Sequence, residues 1–198
     1  HTSICRYPSH LQSDASQRMT KDIMNRAYIT PKRIVTKYAG CKNNLIKNEH
    51  YLLERGNGQS EMNRKKCCIM TSTETEKASL LLDFGSELHG GLKLVMGSSS
   101  RREPSLVRIR FGESVGEANS STSNSEWKVG FSTDDHAKRD IIMEIPRDGM
   151  IEIGNTGFRF VRLDLLQNNA TISLKEISAI LRYRDIPYLG LLNATTNV

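Results

Sequence analysis

The densest group of chemically capable side chains in this sequence is Thr133-Asp134-Asp135-His136. Two carboxylates and an imidazole are the groups that bind a metal, transfer protons as acid and base, or hydrogen-bond sugar hydroxyls. Adjacent aspartates on an extended segment point to opposite sides, so Asp134 and Asp135 are not a catalytic pair on their own. The competing reading is a turn whose carboxylates cap backbone N–H groups. Just upstream, Trp127 is the lone tryptophan in a Ser-, Asn- and Gly-rich stretch from Ser114 to Asp134. An aromatic ring without an evident core suits stacking on a sugar, and it could equally anchor its own loop. Arg110 and Glu113 close the run RIRFGES. Residues three apart on a strand face opposite ways unless Gly112 makes a kink, and the plainer alternative is cross-strand salt bridges at a sheet margin. The candidate carbohydrate-binding residues are therefore Trp127, Asp134, Asp135, His136, Glu113 and Arg110. No catalytic residue and no metal ligand set is assigned.

Other side chains are weaker candidates. His89 beside Gly90-Gly91 could meet a ligand, or be an ordinary exposed histidine. Arg159 and Arg162 in FRFVR could bind, or cover apolar surface with their stems. Cys5, Cys41, Cys67 and Cys68 show no CxxC spacing or neighbouring His pair, which argues against zinc and for free thiols. There is no P-loop, dinucleotide fingerprint, GxSxG or HExxH, and no cofactor is expected.

The elements that must position these residues read as strands. Val107, Ile109 and Phe111 alternate with Arg108 and Arg110, the period of a strand with one face in a core and one in solvent. Leu80, Leu82 and Phe84 form one apolar face, and Leu92, Leu94 and Met96 another. With Gly85–Gly91 and Gly97–Pro104 as connectors, the stretch Ser79–Ser114 predicts three short antiparallel neighbours. RIVTKY (33–38) and CCIMT (67–71) are further strands. Ile141, Met143 and Ile145 share a face, PRDG (146–149) is a turn, and Met150–Ile153 leads to a second turn at GNTG (154–157). Phe158–Leu166 has apolar residues on both faces and reads as a central strand. Around Lys175-Glu176 the apolar phase changes, which predicts a bulge or a sheet switch. The fold expected is all-β, an antiparallel, jelly-roll-like β-sandwich behind a poorly structured N-terminal lead-in. Residues 1–28 are that polar lead-in, weakly helical over 11–27 or disordered. Residues 29–186 are the sandwich, and 187–198 a tail.

At 198 residues the chain suits one large domain, or one domain plus a tail, with 37% hydrophobic and 25% charged residues. No apolar run approaches the roughly 18 residues of a membrane helix, and no membrane partner is expected. Of the net charge of +6, residues 1–66 carry a net of +8 and the remainder −2. The basic third carries no nucleic-acid-binding motif, so it reads as a solvated lead-in and nucleic acid is not an expected partner.

Taken in order, LLDFGSELHGGLKLVMG, VRIRFGES, GNTGFRFVRLDLL and LRYRDIPYLG resemble the β-sandwich module ahead of the catalytic domain in bacterial α-L-rhamnosidases and rhamnosidase-like glycoside hydrolases. The family pattern falls on Asp83-Phe84-Gly85, Gly90-Gly91, Glu113, Thr133-Asp134 and Gly157-Phe158-Arg159-Phe160-Val161, and the match covers residues 45–190. The resemblance implies a non-catalytic accessory module of a glycosidase. Its partners would be a catalytic α/α domain of the parent chain and rhamnose-containing glycans. The catalytic carboxylates of that family lie on the α/α toroid, and LLNATTNV (191–198) does not look like its start, so the hydrolytic residues are expected outside this chain. The alternative is a self-sufficient carbohydrate-binding module built on Trp127 and the polar cluster.

Overall fold

The computed structural model describes residues 24–54, 66–97, 103–120 and 139–184. Among the described residues nine strands run in chain order: β1 (Met24–Ile29), β2 (Arg33–Tyr38), β3 (Ile46–Lys47), β4 (Cys68–Thr71), β5 (Ser79–Met96), β6 (Ser105–Gly112), β7 (Asp140–Ile145), β8 (Gly149–Leu165) and β9 (Thr171–Arg184). A 3-10 turn spans Glu49–Leu53, and one short helix, α1, spans Val115–Asn119. Residues 28–181 form one compact unit, and the described residues 24–27 and 182–184 belong to a second. The larger unit carries the features that follow.

Two long strands organise it. The first part of β5, Ser79–Asp83, pairs with β2 on one side and with Phe160–Asp164 of β8 on the other. Its second part pairs with Gly149–Phe158 of β8 and with β9. β6 pairs with the second part of β8 and with β7, while β4 joins β9 to β3. All these pairings are antiparallel. β5 and β8 thus run through both layers of an open, sandwich-like all-β fold, in agreement with the sequence. Leu80, Leu82, Val107, Ile109 and Leu163 from one layer and Leu92, Leu94, Leu174 and Ile177 from the other share one core and are essentially buried. Burying each such side chain contributes about 1.5–3 kcal/mol. Where the long strands bend, Phe158 meets Phe84 and Phe111 edge-on, with ring centres 5.8 and 4.9 Å apart. Edge-to-face contacts of this kind fix ring positions as well as burying area.

Several sequence expectations hold. Strands occupy 33–38 and 68–71, and β8 is central, with β5 and β6 on its two sides. The phase change in β9 is a register shift: Glu176 pairs with Val95 and Leu174 with Met96, leaving Lys175 unpaired in the ladder.

Others are corrected. Ser79–Met96 is one strand and not two joined by a Gly85–Gly91 connector. Between Asp83↔Phe160 and Leu88↔Phe158, four residues of β5 face one of β8, and the chain absorbs the excess as a wide bulge with Gly85 at φ 89°. Likewise GNTG is no turn but the middle of β8, bent at Gly154 with φ 82°. Glycine permits a left-handed residue in a bent strand as readily as in a hairpin, so the sequence signal is the same for both. Nor are β5 and β6 neighbours: β8 lies between them. The helix expected over 11–27 lies mainly outside the described residues, and Met24 onward is strand.

The second face of β6 is also not open to solvent. Gly112 lies against the backbone of α1, where a Cβ would stand 2.5 Å from the Ala118 nitrogen. Ala118 packs with Leu81 and Phe160 on that face, and Arg110 beneath the helix end is only 6% exposed.

Candidate functional site

The polar groups of the larger unit converge on the segment Thr156–Arg159 of β8, where the strand passes from one layer to the other. Three of its positions each receive a charged neighbour. Arg139 Nη1 donates to Thr156 Oγ1 at 3.2 Å. Glu113 Oε1 lies 3.3 Å from the place a Cβ would occupy on Gly157, so the glycine admits the carboxylate. Arg159 reaches across to Asp83 on β5.

Around Glu113 the local sequence builds a small frame. Ser114 caps α1 by accepting the Glu117 N–H at 3.2 Å, and Glu117 Oε2 accepts the Glu113 N–H at 3.1 Å. This is a variant of the capping box in which the glutamate reaches the N–H one residue before the cap, and Ser114-Val115-Gly116-Glu117 is its sequence signal. The sequence reading assigned that stretch to a loop. Glu117 also pairs with Arg139 at 2.6 Å. The Glu113 side chain is exposed and forms no ion pair among the described residues. His89, exposed on β5, sits directly opposite Gly157.

Asp83 is the centre of the second group. It is 1% exposed and accepts four hydrogen bonds: from Arg159 Nε and Nη2 at 2.9 and 3.1 Å, from Arg33 Nε at 2.9 Å, and from the Gly85 N–H at 2.7 Å. The Arg159 hydrogen bonds, helped by Gly85 and Arg33, outweigh burial and hold its carboxyl at about 2. In the sequence Asp83 and Arg159 belong to separate motifs, 76 positions apart on either side of β6 and β7. The bulge after Asp83 brings them together, and pairing between distant strands is not visible in local periodicity.

A third group lies on the outer face of β6, β7 and β8. Arg110 Nη2 donates to Asp164 at 2.7 Å, Arg162 Nε to the same carboxylate at 3.0 Å, and Arg108 grips Asp140 at 2.6 and 2.8 Å. Arg162 also donates to the Asn119 side chain and Arg110 to the Asn119 carbonyl, tying α1 to the sheet. Arg110 Nε is buried without a partner among the described residues.

Of the residues expected to bind carbohydrate, Trp127, Asp134, Asp135 and His136 lie outside the described residues. Arg110 and Glu113 are not brought together: Arg110 is buried under α1 against Asp164, whereas Glu113 is exposed beyond Gly112. Asp83, Asp140 and Asp164 are each neutralised by arginine. Among the described residues no group of three or more His, Cys, Asp or Glu is placed to hold a metal ion. Cys41, Cys67 and Cys68 are free thiols, and burial pushes Cys68 up to about 12. At the bend the exposed Glu113 and His89, with the half-buried Arg139 beside them, offer donors and acceptors suited to hydroxyl groups.

No family model matches this chain, and no curated protein matches it. Several solved structures align with it. A rhamnosidase from Klebsiella oxytoca aligns with a TM-score of 0.51 at 16% identity, covering 89% of this chain and 32% of that one. The GH78 family rhamnosidase of Bacillus sp. GL1 gives 0.45 at 15% identity, over 61% of this chain and 11% of that one. A fucolectin from striped bass, Morone saxatilis, gives 0.45 at 12% identity, over 84% and 49%. The chain thus spans about a third of the Klebsiella enzyme, with which it shares a fold.

Proposed function

We propose that this chain is the non-catalytic β-sandwich module of an α-L-rhamnosidase-like glycoside hydrolase, supporting a catalytic α/α domain and contacting carbohydrate at the β8 bend. The observation that carries the reading is the Asp83–Arg159 pair. It joins Asp83-Phe84-Gly85 to Gly157-Phe158-Arg159-Phe160-Val161, two of the motifs on which the family resemblance rests, at the core of a fold shared with the Klebsiella enzyme. The third motif residue, Glu113, faces the same segment of β8. In this reading the sandwich, residues 29–186, supplies structure and a wall for the sugar. Hydrolysis belongs to carboxylates of the catalytic domain, since the buried aspartates here are held by arginine.

The test is a titration of the purified chain with a rhamnose-containing oligosaccharide, alongside an assay with an aryl α-L-rhamnoside. The expected outcome is weak saturable binding, reduced at least fivefold by Glu113→Gln, with no turnover. Robust turnover by the chain alone would sink the proposal, and so would absence of binding at millimolar sugar.

A further inference from the structure

We propose that Arg33, Arg159 and Lys32, arrayed around the buried Asp83, form a binding site for the carboxylate of an acidic sugar residue. The choice of a glycan as carrier rests on the carbohydrate reading above; the anion site itself rests on geometry.

Asp83 is a template and not a ligand group. Its side chain is 2% exposed and fully occupied by four donors, so nothing further can bind to it. What it does is orient two guanidinium groups. Arg33 is anchored to Asp83 through Nε alone, its Nη groups have no hydrogen-bond partner among the described residues, and its side chain is 57% exposed. Arg159 is anchored through Nε and Nη2, leaving Nη1 without a partner among the described residues, and is 40% exposed. Lys32 lies over the bulge, its Cγ 2.7 Å from the place a Gly85 Cβ would take, and its ammonium has no partner among the described residues. The Lys32 N–H donates to the Asp83 carbonyl, which fixes its backbone to the same point.

Two arginines share the one buried carboxylate, with Lys32 over the bulge and Glu87 within it, so three cations and two carboxylates leave a net of one positive charge. The outward donors, the Arg33 Nη groups, Arg159 Nη1 and the Lys32 ammonium, come from β2, β8 and the residue before β2, on either side of β5, and together can meet the two oxygens of a carboxylate. Their anchoring removes much of the side-chain entropy that free surface arginines lose on binding. Because Asp83 stays ionised to about pH 2, the template holds throughout the working pH range. The patch is a spot and not a stripe, and Glu87 in the same bulge adds negative charge beside it. A single carboxylate fits that pattern better than the continuous phosphates of a nucleic acid, which need basic groups repeated along the strand.

The experiment measures binding of trigalacturonate and of a neutral trisaccharide to the whole chain, at low and at physiological salt. Variants are Arg33→Gln and Lys32→Gln, singly and together; both residues are exposed, and melting temperature reports whether the fold is kept. The acidic trisaccharide is expected to bind at least tenfold more tightly than the neutral one. Each variant should weaken it about three- to tenfold while leaving rhamnoside binding unchanged. Equal binding of acidic and neutral sugars, no binding of trigalacturonate at millimolar concentration, or variants that match the wild type would overturn the proposal. Preferential binding of a short single-stranded DNA or a polyglutamate peptide would overturn it too. Failure here with rhamnoside binding intact leaves the proposed function standing, whereas loss of rhamnoside binding alone counts only against the latter.

Discussion

Asp83 on β5 and Asp164 on β8 are both buried carboxylates, and each accepts from two arginines, yet their surroundings differ. The partners of Asp83 are 57% and 40% exposed, whereas those of Asp164 are 8% and 29% exposed, with α1 laid over them. The first arrangement presents charge to solvent and the second fastens a helix to a sheet. The same pairing chemistry serves recognition or architecture according to whether the cations can still reach water.

That contrast yields a ranking of stabilities. Asp164→Ala strands the Arg110 guanidinium in a dry site and should cost about 3–5 kcal/mol. Asp83→Ala lets Arg33 and Arg159 swing into solvent and loses mainly hydrogen bonds, about 1–2 kcal/mol. Urea denaturation of both variants decides it, and equal losses would abolish the distinction. Glycines at the two bends extend the ranking. A Cβ on Gly154 would stand 2.8 Å from Phe111 in the core, whereas one on Gly85 meets only the flexible Lys32 stem. Both have positive φ, so Gly154→Ala should cost about 2–4 kcal/mol and Gly85→Ala about 1–2.

The pH dependence sharpens the Asp83 half. Its folded carboxyl sits at about 2 against an ordinary 3.8, so the protein gains from its ionisation. That gain is present in full above pH 4, is lost as pH falls from about 4 to 2, and amounts to about 2 kcal/mol. Stability curves of wild type and Asp83→Asn should converge over that interval, and parallel curves would show that the pairs do not set the titration. The smallest effect expected is Ser114→Ala, about 1 kcal/mol, from loss of the α1 cap. Since α1 covers Arg110 and not Asp83, hydrogen exchange should quicken in β6 and stay unchanged in β2.

Much of the fold was legible in the sequence. Strict alternation at Val107, Ile109 and Phe111 marked β6, the two apolar faces of Phe158–Leu165 marked a central strand, and the phase slip at Lys175 marked a real bulge. What failed has one physical origin. Gly85 and Gly154 signal positive φ, and a hairpin turn and a strand bend use the same residue for it, so two long strands read as four short ones. The candidate site was legible only in pieces. Glu113 stands out in the sequence only as a candidate, and the burial of Arg110 depends on a five-residue helix whose cap, Ser114 with Glu117, is written in the sequence but is easily lost in a Ser-, Asn- and Gly-rich stretch. The Asp83–Arg159 pair has no local signature at all, because its members are joined by the register of β5 on β8.

The length of β5 bears on how the chain is made. Its first part can pair with β2, which is already synthesised, but its second part waits for β8 and β9. β8 begins only at Gly149 and β9 at Thr171. During synthesis Leu88–Met96 is therefore an apolar strand with two unsatisfied edges, the kind of segment that invites pairing with another nascent chain. Such non-local pairing also makes folding slow, on the millisecond-to-second scale typical of β-sandwiches. Yields from rapid overexpression should accordingly be limited by this interval, and slowing translation after Met96 should worsen them.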